Sequence, residues 1–210
     1  MMKRIDLEVN MDLSRYQGLI FDMDGTLIDS MPAHIAAWRF ACEQFRIPFD
    51  AQWLMSLGGS PTIKTAQMMN EKYHMDLNIQ AVADTKWHFF ETLEQKGDVI
   101  PATVSILLQY KDQKKVAVGT GCRRVNAESL LTITEILPLL DALVTADDVR
   151  NHKPHPDTFL EAAMRLGLAP HQCVVFEDTD LGRQAALSAG MDCFLVTDGA
   201  IAEFTSATSV

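Results

Sequence analysis

A chain of 210 residues, 48% of them hydrophobic, is long enough for one domain with a sizeable insertion and carries enough apolar side chains for a real core. Its net charge of −10, with 18 Lys and Arg that form no long run, works against phosphodiester backbones, so nucleic acid is not an expected partner. No apolar run nears the roughly 20 residues of a membrane span, residues 1–12 lack the apolar stretch of a signal peptide, and Cys42, Cys122, Cys173 and Cys193 form no framework, so a soluble cytoplasmic protein is expected.

The first predicted element is the apolar run Gly18–Phe21, read as a strand. From 32 to 97 the spacing is helical and no run resembles a strand; helices are expected over 33–45, 61–73 and 79–95, with breaks at Pro48 and Gly58-Gly59. Beyond that segment, helices at 102–110, 123–131, 156–166 and 181–189 separate strands at 116–118, 142–145, 173–176 and 193–196. These strands are continuously apolar rather than alternating, as a parallel sheet covered on both faces requires. Pro156 suits a first helical turn, Gly167 and Gly190 suit helix C-termini, and 205–210 is small and polar enough to fray. The expected fold class is therefore α/β, a doubly wound, Rossmann-like parallel sheet with an inserted helical cap. The corresponding domain division is a core over 14–31 and 98–210, a cap over 32–97, and an N-terminal extension over 1–13. An insertion directly after the first strand's loop overlies the carboxyl ends of the strands, where such sheets bind ligands, so the cap stands where a lid would.

The first strand runs out into Asp22-Met23-Asp24-Gly25-Thr26, two acids two residues apart as the chain leaves a buried sheet. A similar run opens calcium loops, but an EF-hand needs further oxygen ligands and a Glu at its twelfth position, where Ala33 stands. The plain alternative is a polar turn. Two acids closing a buried strand make an unusual place for such a turn. Gly25 lets the backbone turn so that both reach one substrate.

The stretch from Asp22 to Ser30 resembles the first motif of haloacid dehalogenase-like phosphatases and phosphomutases, and three more pieces follow in that family's order. Thr120, in Val118-Gly119-Thr120-Gly121, is similar to the hydroxyl residue that holds a phosphoryl oxygen, with Gly121 beside it at the substrate. Lys153, in His152-Lys153-Pro154-His155-Pro156, is similar to the lysine that pairs with the nucleophile and the phosphoryl group. Glu177-Asp178 is similar to the acidic motif that completes a Mg²⁺ site. Taken singly, Thr120 reads as a strand-end turn and Lys153 as a solvated lysine; together the four motifs span nearly all of the sheet domain. The resemblance implies Asp22 as nucleophile, Asp24 as general acid and base, and Thr120 and Lys153 on the phosphoryl group. It also implies Mg²⁺ as cofactor, held by Asp22, the backbone carbonyl of Asp24 and Asp178, with Glu177 behind them. Asp180 reads as a helix-start residue, where negative charge is favoured.

In the cap, His34 and Trp38 stand at places similar to those of the β-phosphoglucomutase-like branch, which implies His34 near Asp24 and Trp38 against the substrate. The competing reading puts Trp38 in the cap's own core and His34 on the surface. Lys86, in Lys86-Trp87-His88, offers another cation from the last cap helix. Where the mutases carry an Arg for a distal phosphate this chain has Thr62, and Leu57-Gly58-Gly59-Ser60-Pro61-Thr62 resembles instead the fructose-1-phosphate phosphatase-like branch. Gly59, Ser60 and Lys64 are further candidate substrate contacts. The implied function is Mg²⁺-dependent hydrolysis of a small sugar phosphate through an aspartyl-phosphate. The alternatives are a β-phosphoglucomutase and a non-catalytic phosphosugar-binding protein; a dehalogenase would need neither Asp24 nor a Mg²⁺ site. The expected partner is a small phosphorylated metabolite, with no membrane and no obligatory protein partner. Cys122, beside Gly121, reads as a buried spectator thiol rather than an oxidisable one.

Overall fold

The computed structural model describes residues 11–209. Five strands, β1 (Gly18–Phe21), β2 (Lys115–Gly119), β3 (Ala142–Val144), β4 (Cys173–Glu177) and β5 (Asp192–Thr197), pair in parallel in the order β3-β2-β1-β4-β5. A sixth, β6 (Ala200–Thr205), runs antiparallel on the outer edge of β5. The α/β class holds, and the sheet is mixed at one edge. β6 is absent from the sequence expectation, and the fray expected over 205–210 gives way to fixed hydrogen bonds at Ser206 and Ala207. Thr205 ends the strand, while Ser206 Oγ and the Ala207 N–H both donate to Asp192 Oδ1, at 2.9 and 2.8 Å. Val210 lies outside the described residues. A signal for this hairpin does exist: Asp198 and Gly199 join the strands as a two-residue loop with φ of 51° and 73°, the paired positive values that a tight hairpin turn demands.

Between β1 and β2 the chain forms α1 (Met31–Phe45), α2 (Ala51–Ser56), α3 (Thr62–Tyr73), α4 (Ile79–Thr92) and α5 (Pro101–Tyr110); α6 (Arg124–Ile133), α7 (Asp157–Leu166) and α8 (Asp180–Ser188) follow between the later strands. Alternation along β1 divides the core. Leu19 and Phe21 face a cluster completed by Ile106 and Leu107 of α5 and by Ala127, Leu130 and Leu131 of α6. Ile20 faces a second cluster with Phe159, Ala162 and Ala163 of α7 and Ala185 and Ala186 of α8. Phe21, Phe176 and Phe194 stack across three adjacent strands, with centroids 4.6 and 5.3 Å apart.

Helices α1 to α4 share a separate cluster that includes Trp38, Ala41, Cys42, Leu54, Ala66, Met69 and Val82. The six residues of α2 are too few to show a helical period, but Asp50 caps the helix by accepting the Trp53 N–H at 3.0 Å. The two connections to the sheet run side by side, with the Asp29 N–H donating to the Asp98 carbonyl at 2.8 Å. Leu13, assigned to the N-terminal extension by sequence, is buried in the core, and residues 1–10 of that extension lie outside the described residues. All four cysteines are free and buried. Among the described residues no helix is long and apolar enough to cross a membrane.

Candidate active site

The strand order reverses around β1, whose neighbours are β2 and β4, and this opens a crevice at the carboxyl end of the sheet. Asp22 follows β1, Thr120 follows β2, Lys153 lies in the loop after β3, and Glu177 closes β4. The Asp22 N–H donates to the Phe176 carbonyl at 2.9 Å, so the ladder still holds the backbone from which its carboxylate projects. Lys153 Nζ donates to Asp22 Oδ1 at 2.5 Å and to Glu177 Oε1 at 2.6 Å, all three side chains being buried. The other Glu177 oxygen accepts the Thr179 N–H and Oγ, at 2.7 and 2.8 Å, and Thr179 Oγ1 in turn accepts the Gly182 N–H as the cap of α8. Lys153 is thus braced through Glu177 onto a helix start. Asp180 occupies the first turn of α8 and pairs with Arg183 at 2.7 Å. Thr120 is buried, and its Oγ1 accepts the Cys122 N–H at 3.1 Å.

One carboxylate oxygen each from Asp22, Glu177 and Asp178 lies within 4.8 Å of the others. Among the described residues Lys153 is the ammonium that meets this group, so three acids share one cation. Burial, reinforced by the neighbouring acids, pushes the Asp22 carboxyl up to about 7 and Asp178 up to about 9. Burial also works against the charge on Lys153, but Asp22 and Glu177 outweigh it and keep the ammonium protonated. The cluster therefore has more negative charge than the protein neutralises, and its donors are all oxygens, a set that suits a hard divalent cation such as Mg²⁺. Both Glu177 oxygens already serve Lys153 and Thr179, which leaves Asp22 and Asp178 with the free lone pairs.

The excess charge has a measurable consequence. An acid whose folded pKa lies above its unfolded value contributes full stability below the unfolded value and loses it as pH rises through the folded one. In metal-free buffer the contribution of Asp22 and Asp178 therefore falls as pH climbs toward about 7 and about 9. Mg²⁺ is expected to raise the melting temperature, and to raise it more near about pH 8 than near about pH 6. A shift of equal size at both pH values would argue against these acids as ligands.

The Asp24 carboxylate faces the other way. Its Oδ1 accepts Ser30 Oγ at 2.5 Å and meets His34 Nε2 at 3.1 Å, while Lys86 Nζ sits 2.8 Å from His34 Nδ1. An ammonium only donates, so Nδ1 accepts, and the imidazole proton sits on Nε2 and points at Asp24. Burial and Lys86 lower the His34 pKa and keep the ring neutral, and burial brings Lys86 down to about 8. Burial would raise Asp24, but His34 and Ser30 outweigh it and hold the carboxyl low, in its ionised form. Sequence reasoning missed Ser30. It occupies the N-cap position of α1 yet makes no cap hydrogen bond, because its hydroxyl goes to Asp24.

Asp24, His34, Trp38, Gly59, Ser60, Thr62, Lys86 and Gly121 line one cavity of about 60 Å³ between cap and sheet. His34 is 13% exposed, which removes its reading as a surface residue, and Trp38, 6% exposed, belongs both to the cap cluster and to the cavity wall. Lys64 is exposed and does not line the cavity. Two residues past Thr62, it lies roughly 200° around the helix. A Cβ at Gly121 would lie 2.1 Å from the Gly59 carbonyl oxygen, so the backbones of cap and sheet loop touch and the cap is closed. The cavity is small beside the roughly 300 Å³ at which small-molecule pockets begin. Cys122 is buried at this wall, and burial pushes its thiol well up, so it is unreactive.

Residues 19–196 match the model of the family described as haloacid dehalogenase-like hydrolase. The chain is 43% identical over 178 residues to the fructose-1-phosphate phosphatase YqaB of Escherichia coli strain K12, covering 85% of this chain and 95% of that one. It is 31% identical over 192 residues to hexitol phosphatase A of the same organism, covering 90% and 86%. The crystal structure of a β-phosphoglucomutase from Clostridium difficile superposes with a TM-score of 0.77 at 26% identity, covering 87% of this chain and 85% of that one.

Proposed function

The chain belongs to the haloacid dehalogenase-like hydrolase family, and from that premise we propose that it hydrolyses a small sugar monophosphate through a phosphoryl group carried on Asp22. The observation that carries the reading is the buried contact of Lys153 with Asp22 inside a group of acids too negative for one lysine to balance. A carboxylate approaches a phosphate dianion only after charge is neutralised. Mg²⁺, held by the Asp22 and Asp178 carboxylates and the Asp24 backbone carbonyl, would supply that neutralisation when bound.

Lys153 and Thr120 take up phosphoryl oxygens as Asp22 attacks phosphorus. The P–O bond to the sugar breaks, and Asp24 gives its proton to the leaving oxygen. Asp24 is ionised in the free protein, so it takes up a proton as the substrate's negative charge enters the closed cavity, gives that proton to the leaving oxygen, and returns to the ionised form that Ser30 and His34 stabilise. The same carboxylate then takes a proton from the water that attacks the aspartyl-phosphate, releasing inorganic phosphate and restoring Asp22. The closed cap keeps bulk water from the first step and limits access to small substrates.

Hydrolysis is favoured over rearrangement by Thr62, which lines the cavity where a mutase would hold a cation for a second phosphate, while Lys64 faces away. Phosphate release from a panel of hexose, pentose and triose monophosphates is expected to be highest with a hexose 1-phosphate, with free sugar as the co-product. Efficient conversion of β-glucose 1-phosphate to glucose 6-phosphate, given a trace of the bisphosphate, would replace this reading by the mutase one. Absence of turnover across the whole panel with Mg²⁺ present would favour a non-catalytic sugar-phosphate binder.

A further inference from the structure

Asp178 is the least tethered of the three clustered acids. Among the described residues its carboxylate accepts one side-chain hydrogen bond, a long one of 3.4 Å from Thr26 Oγ1. Its other support is backbone: a Cβ added at Gly25, where φ is 86°, would overlap Asp178 Oδ2. The placement of Asp178 therefore follows that of residues 25 and 26. Their turn is closed on itself, with the Gly25 N–H donating to the Ile28 carbonyl at 2.7 Å and the Leu27 and Ile28 N–H groups donating to the Met23 carbonyl at 3.0 and 2.9 Å. Hydrogen bonds from the segment that leads back from the cap then tie this turn to the core. The Ile100 N–H donates to the Leu27 carbonyl at 2.8 Å, and Thr103, the third residue of α5, donates its hydroxyl to the Thr26 carbonyl at 2.5 Å.

Thr103 is an unexpected side chain for its place. It is fully buried and shares a helix face with Ile106 and Leu107, which belong to the apolar core. A hydroxyl there costs stability unless it is paired, whereas a valine of the same shape has no such need. The hydroxyl also lies 3.2 Å from the Ile100 carbonyl, the local contact that a threonine at a helix start makes by itself. It carries a single proton, however, and the shorter bond crosses 77 residues of sequence to reach Thr26. Among the described residues Thr103 is the hydrogen-bond donor to that buried carbonyl. Groups that hold a metal ligand in place raise affinity, because less ordering remains when the cation arrives. We propose that Thr103 is a positioning residue for the Mg²⁺ site: by holding the Thr26 carbonyl it keeps the Gly25-Thr26 turn against Asp178 and so fixes that ligand; this rests on reading Asp22 and Asp178 as the Mg²⁺ ligands.

Titration calorimetry of the metal-free protein with MgCl₂, in the absence of substrate, measures the effect directly. Thr103→Val is expected to raise the Kd for Mg²⁺ about 3- to 10-fold, the effect of one hydrogen bond, and Thr103→Ser to return it close to the wild-type value. At saturating Mg²⁺ the valine variant keeps the wild-type KM for fructose 1-phosphate, because Thr103 does not line the cavity. Thr26→Val, which removes the hydroxyl at the other end of the relay, raises the Kd in the same direction and covers the case in which Thr103→Val does not fold. In the double variant the two effects combine to less than the product of the single ones. A lowered melting temperature with an unchanged Kd in Thr103→Val reduces Thr103 to packing and overturns the proposal, as does an unchanged Kd in Thr26→Val or a full product in the double variant. Absence of Mg²⁺ binding by wild type overturns the metal reading beneath it, and the positioning role with it.

Discussion

Asp22→Asn is expected to lower phosphate release by at least about 10⁴-fold, on the scale of losing a nucleophile, while the melting temperature in metal-free buffer stays level or rises. The amide has no carboxylate to carry the phosphoryl group, and uncatalysed monoester hydrolysis is slow enough that the remaining groups cannot mask the loss. The fold does not depend on the charge. The Asp22 backbone stays paired to Phe176, Lys153 keeps Glu177 at 2.6 Å, and one of three crowded acids is gone. The Mg²⁺-induced rise in melting temperature should shrink in the same variant, because a ligand has been removed. Colorimetric phosphate release and thermal melts with and without Mg²⁺ measure all three effects, and normal activity in the variant would end the assignment of Asp22.

Lys153→Met has the opposite sign on stability. Asp22 and Glu177, both buried, lose the ammonium that touches them, and removing one partner of such a cluster costs about 3–5 kcal/mol. Activity falls with it, because among the described residues nothing else replaces the cation beside the nucleophile. The destabilisation deepens as pH rises, since the abandoned acids relieve the repulsion by taking protons and do so less readily in alkaline buffer. Urea denaturation at two pH values measures the loss, and adding Glu177→Gln should recover part of it by removing one unpaired charge. If Lys153→Met proved as stable as wild type, the buried ion pair would not be what holds these acids in place. Opposite stability effects in Asp22→Asn and Lys153→Met would together demonstrate that the cluster's uncompensated charge is negative.

The readable parts of the fold share one physical property. β1, β2, β4 and β5 have buried side chains on both faces, so each had to be an unbroken apolar run, visible without neighbours. β6 is an edge strand with mostly exposed side chains, so it has no such run, and the Asp198-Gly199 turn was its sole local mark. The site residues at strand ends were legible for a related reason: acids that close a buried strand have few structural uses. Ser30 and Lys64 were not legible, because Ser30 stands at a helix start, where a serine ordinarily caps the backbone, and the facing of Lys64 depended on the phase of a helix whose start the sequence placed one residue early.

From sequence alone came the α/β class, the interruption by a helical segment, the strand ends that bear Asp22, Thr120 and Glu177-Asp178, and the loop after a strand that bears Lys153. All of these follow from local order, since burial on both faces and the connectivity of a parallel sheet leave the ends of successive strands at one edge. The resemblance implied His34 near Asp24, but the seating of Lys86 against His34 and of Thr62 in the wall of the same cavity was decided by the docking of the cap. Those contacts join residues far apart in the chain and depend on how apolar helix faces pack, a non-directional force that leaves no mark at any single position, so only the tertiary structure could bring them to the Asp22-Met23-Asp24 turn.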